Sequence, residues 1–278
     1  MSYFITDIKK LYKSNIVKVM LIILFFIMVV DPVSVYVINA RYANFFEQIG
    51  SNPFQFWLLM NSSSWGNTMF YTLFWMFPVI STGLCFYNER HTSTHVFLLI
   101  RNSRTKYYLS KAAAVFIVTF INFFVLLLIN ILVTYLIFHV DAPMTEQYKY
   151  LIPKEGMFSY SFYQSNPLYM VILYTFLNAL AIALLTLFVL AIHEIAIPKK
   201  RYVALLVPFI LLYLINYVVG LLLSSNLNYN FSVIIQPRAA SAVINIINNK
   251  DVLLVFSLVL VVDLILLMVG YIRNREVL

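Results

Sequence analysis

An all-α integral membrane protein with six transmembrane helices is the fold this sequence predicts. Apolar runs of span length recur along all 278 residues, leaving no stretch for a separate soluble domain. Only 11% of the side chains are charged, 62% are hydrophobic, and the mean hydropathy is +0.87. Lysine and arginine, finally, collect in alternate connecting segments. A soluble domain of this composition lacks the polar side chains its surface needs. Hydrocarbon removes that requirement, and about 20 apolar residues at 1.5 Å rise cross a bilayer core of about 30 Å.

Residues 1–15 are too short and too polar to span. Tyr3, Phe4, Ile5, Ile8, Leu11 and Tyr12 share one helical arc, with Thr6, Lys9 and Lys13 opposite, the pattern of a helix lying in the membrane interface. Asp7 falls inside the apolar arc and breaks the pattern. The six spans are placed near 17–38, 68–87, 112–138, 167–192, 202–224 and 252–272, giving one transmembrane domain over 1–278. No cleavable signal peptide is expected, since the first apolar run is too long for an h-region. Cys85 lies within an apolar run, where a packed thiol is expected.

Orientation follows from charge. The N-terminal flank, the 88–111 segment, the 193–201 segment and the C-terminal tail hold fourteen of the Lys and Arg residues, and the alternate segments hold five. Cationic loops stay in the cytoplasm, so both termini are expected there, which requires an even number of spans. The external segments are long and aromatic. Phe54, Phe56, Trp57, Leu58, Leu59 and Met60 in the first suit the outer interface, as do Tyr148, Tyr150, Tyr160, Phe162 and Tyr163 in the second. In the third, Phe231–Ile235 and Ala239–Ile247 are apolar enough to dip back into the membrane around Gln236, Pro237 and Arg238. Backbone at that depth must lie against protein or a wet cavity.

Motifs for chemistry are missing from the sequence. No GxxxxGK[ST] phosphate loop, HExxH helix or GxSxG turn occurs, and His91 and His95, four apart, bring no further metal ligand. Catalysis by this chain alone is not expected.

The segment 88–111 reads NERHTSTHVFLLIRNSRTKYYLSK. It is far longer than a passive connection between two helices, with Glu89 and Arg90 at its start, an apolar run at Val96–Ile100, and Arg101, Arg104 and Lys106 behind it. A short helix on the membrane surface with one apolar face and a basic edge fits, docked either on a protein partner or on anionic headgroups.

Here the sequence resembles the ABC-2 type transporter permeases, the membrane subunits of one class of ATP-driven exporter (type V exporter-like in layout). The resemblance is carried by Glu89, Thr92–Ser93–Thr94, Phe97–Leu98–Leu99, Arg101, Arg104 and Lys111 after the second span. Asn102 stands where that family often has proline. The layout of an N-terminal interfacial helix, six spans and an apolar connection before the sixth is similar as well. The resemblance implies a coupling helix in which Glu89, Arg90, Phe97, Leu98, Arg101, Arg104 and Lys106 meet a cytoplasmic ATPase subunit. It further implies two such subunits per complex, ATP and magnesium bound there rather than in this chain, and a second permease, identical or homologous.

Two carboxylates lie in the spans. Asp31 precedes Pro32 toward the outer end of the first. Asp263 sits near the middle of the sixth, where a charge costs about 2.5–3.5 kcal/mol to insert, so it should face protein or water. Asp263 reads either as a pathway carboxylate or as a buried acid bonded to a neighbour, with Asn122, Asn130, Asn178 and Asn216 as candidates. The expected function is export of a hydrophobic or amphipathic cargo (a peptide such as a bacteriocin or toxin, a drug, or a lipid) across a bacterial cytoplasmic membrane. An ion-coupled transporter using Asp263, and a sensor or scaffold that moves nothing, are the alternatives.

Overall fold

The computed structural model of the chain describes residues 2–41, 52–91, 103–138, 153–196, 200–224, 234–239 and 247–273. Ten helices lie among the described residues: α1 Ser2–Lys13, α2 Asn15–Asn39, α3 Pro53–Phe56, α4 Trp65–Leu73, α5 Phe77–His91, α6 Arg104–Ile137, α7 Tyr160–Ser165, α8 Pro167–Ile195, α9 Arg201–Ser224 and α10 Asn249–Arg273. Five of them (α2, α6, α8, α9 and α10) are long and apolar enough to cross a membrane, and α4 with α5 forms a bent sixth.

Local chemistry sets several boundaries. Asn166 caps α8, its Oδ1 accepting from the Leu168 amide at 2.8 Å, with Pro167 at the first helical position where no amide is needed. Ser64 caps α4 by accepting from the Asn67 amide at 3.1 Å. The helix α6 has no Gly or Pro in 34 residues, so it runs on past the bilayer thickness. Its start at Arg104 corrects the sequence reading, which kept Arg104 and Lys106 in a loop and opened the span at 112.

The span expected at 68–87 is corrected too: it is two helices meeting at 58°. Pro78 has no amide to give the Phe74 carbonyl, and its ring excludes a regular turn there. The chain instead closes a tight turn, Met76 N–H to Leu73 O at 2.8 Å, before α5 resumes. The bent pair still covers the thickness of the bundle. Gly66 at its start meets Asp31 well along α2, and Glu89 at its end meets Lys10 of α1. Thr105 and Tyr271 lie 3.3 Å apart, so α10 ends on the face that carries α1.

The axis of the fold is α8. Of its most apolar 18 residues 83% are buried, against 17–39% in the other four long helices. It packs against α6, α10 and α5. In contrast, α9 and α10 turn Leu206, Tyr213, Leu253, Leu264 and Met268 outward, at 52–71% exposed, as lipid-facing helices should.

Two prolines inside spans free a carbonyl, and in each case another helix supplies the donor. Pro32 leaves the Met28 carbonyl without its helical partner, and Asn130 Nδ2 of α6 donates to it at 2.9 Å. Pro208 does the same to Ala204, and His193 Nε2 of α8 lies 2.7 Å from that oxygen, which fixes the ring proton on Nε2. An unsatisfied buried carbonyl costs about 1–3 kcal/mol. Asn130→Leu should therefore lower the thermal midpoint in detergent, and Pro32→Ala, which restores the amide, should remove most of that loss. Equal losses in the two backgrounds would contradict this pairing.

Segments expected in the outer loops fold inward. Phe54, Phe56, Trp57, Leu58, Leu59 and Met60 are all buried by protein rather than spread along the outer interface as expected. The described part of the third segment expected outside, residues 234–239, enters the bundle between α4 and α8. The Pro237 carbonyl accepts from Tyr71 OH at 3.1 Å and Asn178 Nδ2 at 2.7 Å, and Ala239 N–H donates to Leu59 O. Arg238 lies over the Tyr71 ring, 4.2 Å from its centroid. Every one of these contacts answers the requirement that inserted backbone find protein partners. Tyr148, Tyr150, Phe231 and most of 239–247 lie outside the described residues.

Candidate functional site

The most polar part of the interior is a chain of charges where α1, α5, α6 and α8 converge, on the face that carries α1 and the end of α10. Lys111 of α6 is 1% exposed, and its Nζ lies 2.9 Å from Glu194 Oε1 of α8. The same ammonium donates to Tyr107 OH at 3.1 Å. Tyr107 in turn donates to Glu89 Oε1 of α5 at 2.7 Å. Glu89 Oε2 faces Lys10 of α1 at 3.6 Å, and Lys10 lies 3.8 Å from Asp7 Oδ1. Ser110 Oγ donates to Asp7 Oδ2 at 3.3 Å, tying α1 to α6 a second time.

Sequence explains how the four helices bring these groups together. Lys111 and Glu194 sit near the ends of neighbouring helices at the same face. Tyr107 and Lys111 are one helical turn apart, so they share a face of α6. Asp7, the residue that broke the apolar arc of α1, is the one turned inward, at 7% exposed, while Lys9 and Lys13 remain outside. Burial pushes the Asp7 carboxyl up, Glu89 adds to that, and Lys10, Lys111 and the Ser110 hydroxyl oppose it without cancelling it. Gly270 permits the contact from the other side: a Cβ there would lie 2.9 Å from the Glu194 Cβ, so α10 presses on this carboxylate through a glycine.

Of the residues assigned to the coupling segment, Phe97, Leu98 and Arg101 lie outside the described residues. Arg90 and Arg104 occupy the last turn of α5 and the first of α6. Lys106 is exposed on α6, free to meet a headgroup or a partner. Glu89 is buried and turned into the bundle, where it holds Tyr107 and faces Lys10. The cluster also contains Asp7, Lys10, Tyr107 and Glu194, which the sequence reading did not assign to a site. The signal was present for Lys111 and Glu194: opposite charges just beyond the ends of two expected spans, on the same expected face.

The two intramembrane carboxylates are both fully buried, at 0% exposed. Asp31 Oδ1 accepts from the Gly66 amide at 2.7 Å in the first turn of α4, where a helix start favours an anion. Asp263 has no hydrogen-bond partner on either oxygen among the described residues. Three of its four candidate partners are engaged elsewhere: Asn122 accepts from Tyr12 OH, Asn130 bonds Met28 and Asn178 bonds Pro237. The fourth, Asn216, lines the same cavity as Asp263, between α8, α9 and α10.

The fold and the charged end define a multi-pass, largely helical membrane protein. No protein-family model, no curated protein and no solved structure matches the chain.

Proposed function

We propose that the chain is the permease subunit of an ATP-driven ABC exporter of the ABC-2 type. It works with a second permease and two cytoplasmic ATPase subunits that bind ATP and magnesium, and moves a hydrophobic or amphipathic cargo. The termini face the cytoplasm, where the excess of Lys and Arg belongs.

The observation that carries this reading is where the charged cluster sits. Residues 92–102 connect α5 to α6, and the cluster grips both roots of that connection, Glu89 on one side and Tyr107 and Lys111 on the other. From there it reaches α1 through Lys10 and α8 through Glu194. A push on the connection by a closing ATPase therefore bears on four helices at once, including the central one. Rigid polar contacts transmit such a displacement because they exchange geometry only in discrete steps.

The test is co-expression with each ABC-type ATPase subunit of the same genome. Reversal of the basic edge, Arg101→Glu with Arg104→Glu, should leave a folded permease that no longer retains the ATPase or stimulates its turnover. Unchanged retention and stimulation would refute the coupling assignment. The unpartnered Asp263 favours one rival, an ion-coupled transporter, which instead requires transport that is independent of ATP and lost in Asp263→Asn.

A further inference from the structure

A cavity of about 400 Å³ opens between α8, α9 and α10, beside the break in the bent span. Its wall is almost wholly apolar, built from side chains such as Trp75, Phe188, Leu212 and Val259. Two polar groups interrupt it, Asn216 and Asp263. Asp263 is 0% exposed, both its oxygens lack a partner among the described residues, and so does Asn216 Oδ1. From Leu254 to Asp263 the lining of α10 runs nine residues, about 13 Å along the helix axis. The α10 side of the cavity thus has the length of a short alkyl chain, with Asp263 at one end of it.

An ionised carboxylate buried without a partner costs several kcal/mol, and a cation brought beside it recovers much of that. Lipid tails bring no such cation. A primary ammonium has three N–H donors, and the two Asp263 oxygens are orphaned acceptors. We propose that this cavity is a binding site for a membrane-dissolved primary amine, its ammonium group held by Asp263 and its apolar body lying along α10. Pockets of this kind, apolar with a few convergent polar groups, fix orientation through the polar end. The site requires neither an ATPase subunit nor the coupling assignment.

Trp75 in the wall supplies the readout, since a bromine on the alkyl chain quenches indole fluorescence at contact. The purified protein in an uncharged detergent is titrated with 12-bromododecylamine at neutral pH and, separately, with 12-bromododecanol, which has the same length and no charge. Wild type should be half-quenched at a concentration at least tenfold lower for the amine. Asp263→Asn keeps the shape and removes the charge, and should bring the amine curve onto that of the alcohol. Trp75→Phe should delete the saturable component. Elution as a single species on size exclusion confirms that the variants are folded, and micelle partitioning is common to all of them. Equal potency of amine and alcohol on wild type would mean a groove that simply accepts acyl chains. An amine preference that survives Asp263→Asn, or quenching that survives Trp75→Phe, would also overturn the assignment.

Discussion

Replacing Lys111 by methionine is expected to cost about 3–5 kcal/mol, the largest loss of any single change in the charged cluster. Methionine keeps the length and apolar stem of the side chain and removes only the ammonium. Glu194, at 2% exposed, then loses the cation 2.9 Å from its carboxylate, and Tyr107 loses the donor that complements its bond to Glu89. The penalty comes from leaving an anion buried rather than from the worth of the pair itself, since taking two charges out of water consumes most of their attraction. That distinction is measurable. In Lys111→Met with Glu194→Leu the pair becomes apolar, and much of the lost stability should return. Thermal unfolding of the four proteins in one detergent gives the coupling energy directly. Additive losses in the double variant would show that Lys111 and Glu194 do not depend on each other.

The spans were legible in the sequence because hydropathy alone reports them: the expected 167–192 and 202–224 differ from α8 and α9 by three residues or fewer at either end. What hydropathy does not carry is which helix is central. By hydropathy α10 is more apolar than α8, yet α8 is enclosed and α10 faces outward. That choice depends on how ten helices pack together, and periodicity within any one of them is blind to it. The inward fold of Trp57–Met60 was missed for a related reason. An aromatic and aliphatic run outside a span has the composition of an interface anchor, and only tertiary contacts such as Asn67 Nδ2 to Leu58 O decide otherwise. Two local signals carried more than the sequence reading took from them. Pro78, which it passed over, breaks the second span, and Asp7, noted only as a break in the apolar arc of α1, is the inward-facing charge. Nothing in the sequence pairs Asn130 with Met28 or His193 with Ala204, although each proline advertised the carbonyl it would free.

Gly66→Ala should be nearly as damaging as the loss of Lys111, through sterics rather than charge. A Cβ on residue 66 would lie 2.5 Å from the Cβ, Cγ and Oδ1 of Asp31, so α2 and α4 touch at a point where only hydrogen fits. The obstructing atoms include the Cβ, which is fixed to the α2 backbone and cannot swing aside. Relief requires the helices to separate, and Asp31 is held against such a shift by accepting the Gly66 amide at 2.7 Å. Overpacking of this kind costs about 1–3 kcal/mol and sometimes more; with the hydrogen bond lost as well, a value at or above the top of that range is expected. Asp31→Gly removes the obstruction, Cβ included, and leaves the amide of α4 without its acceptor, a loss of about 1–3 kcal/mol, with about 1 kcal/mol more for glycine inside a helix. The order of the four proteins then identifies the cause. Gly66→Ala alone should lie well below wild type, and combining it with Asp31→Gly should give the midpoint of Asp31→Gly by itself, because the clash is gone. A Gly66→Ala protein as stable as wild type would mean that α2 and α4 do not approach so closely, and with that contact the outer anchor of the bent span would be lost.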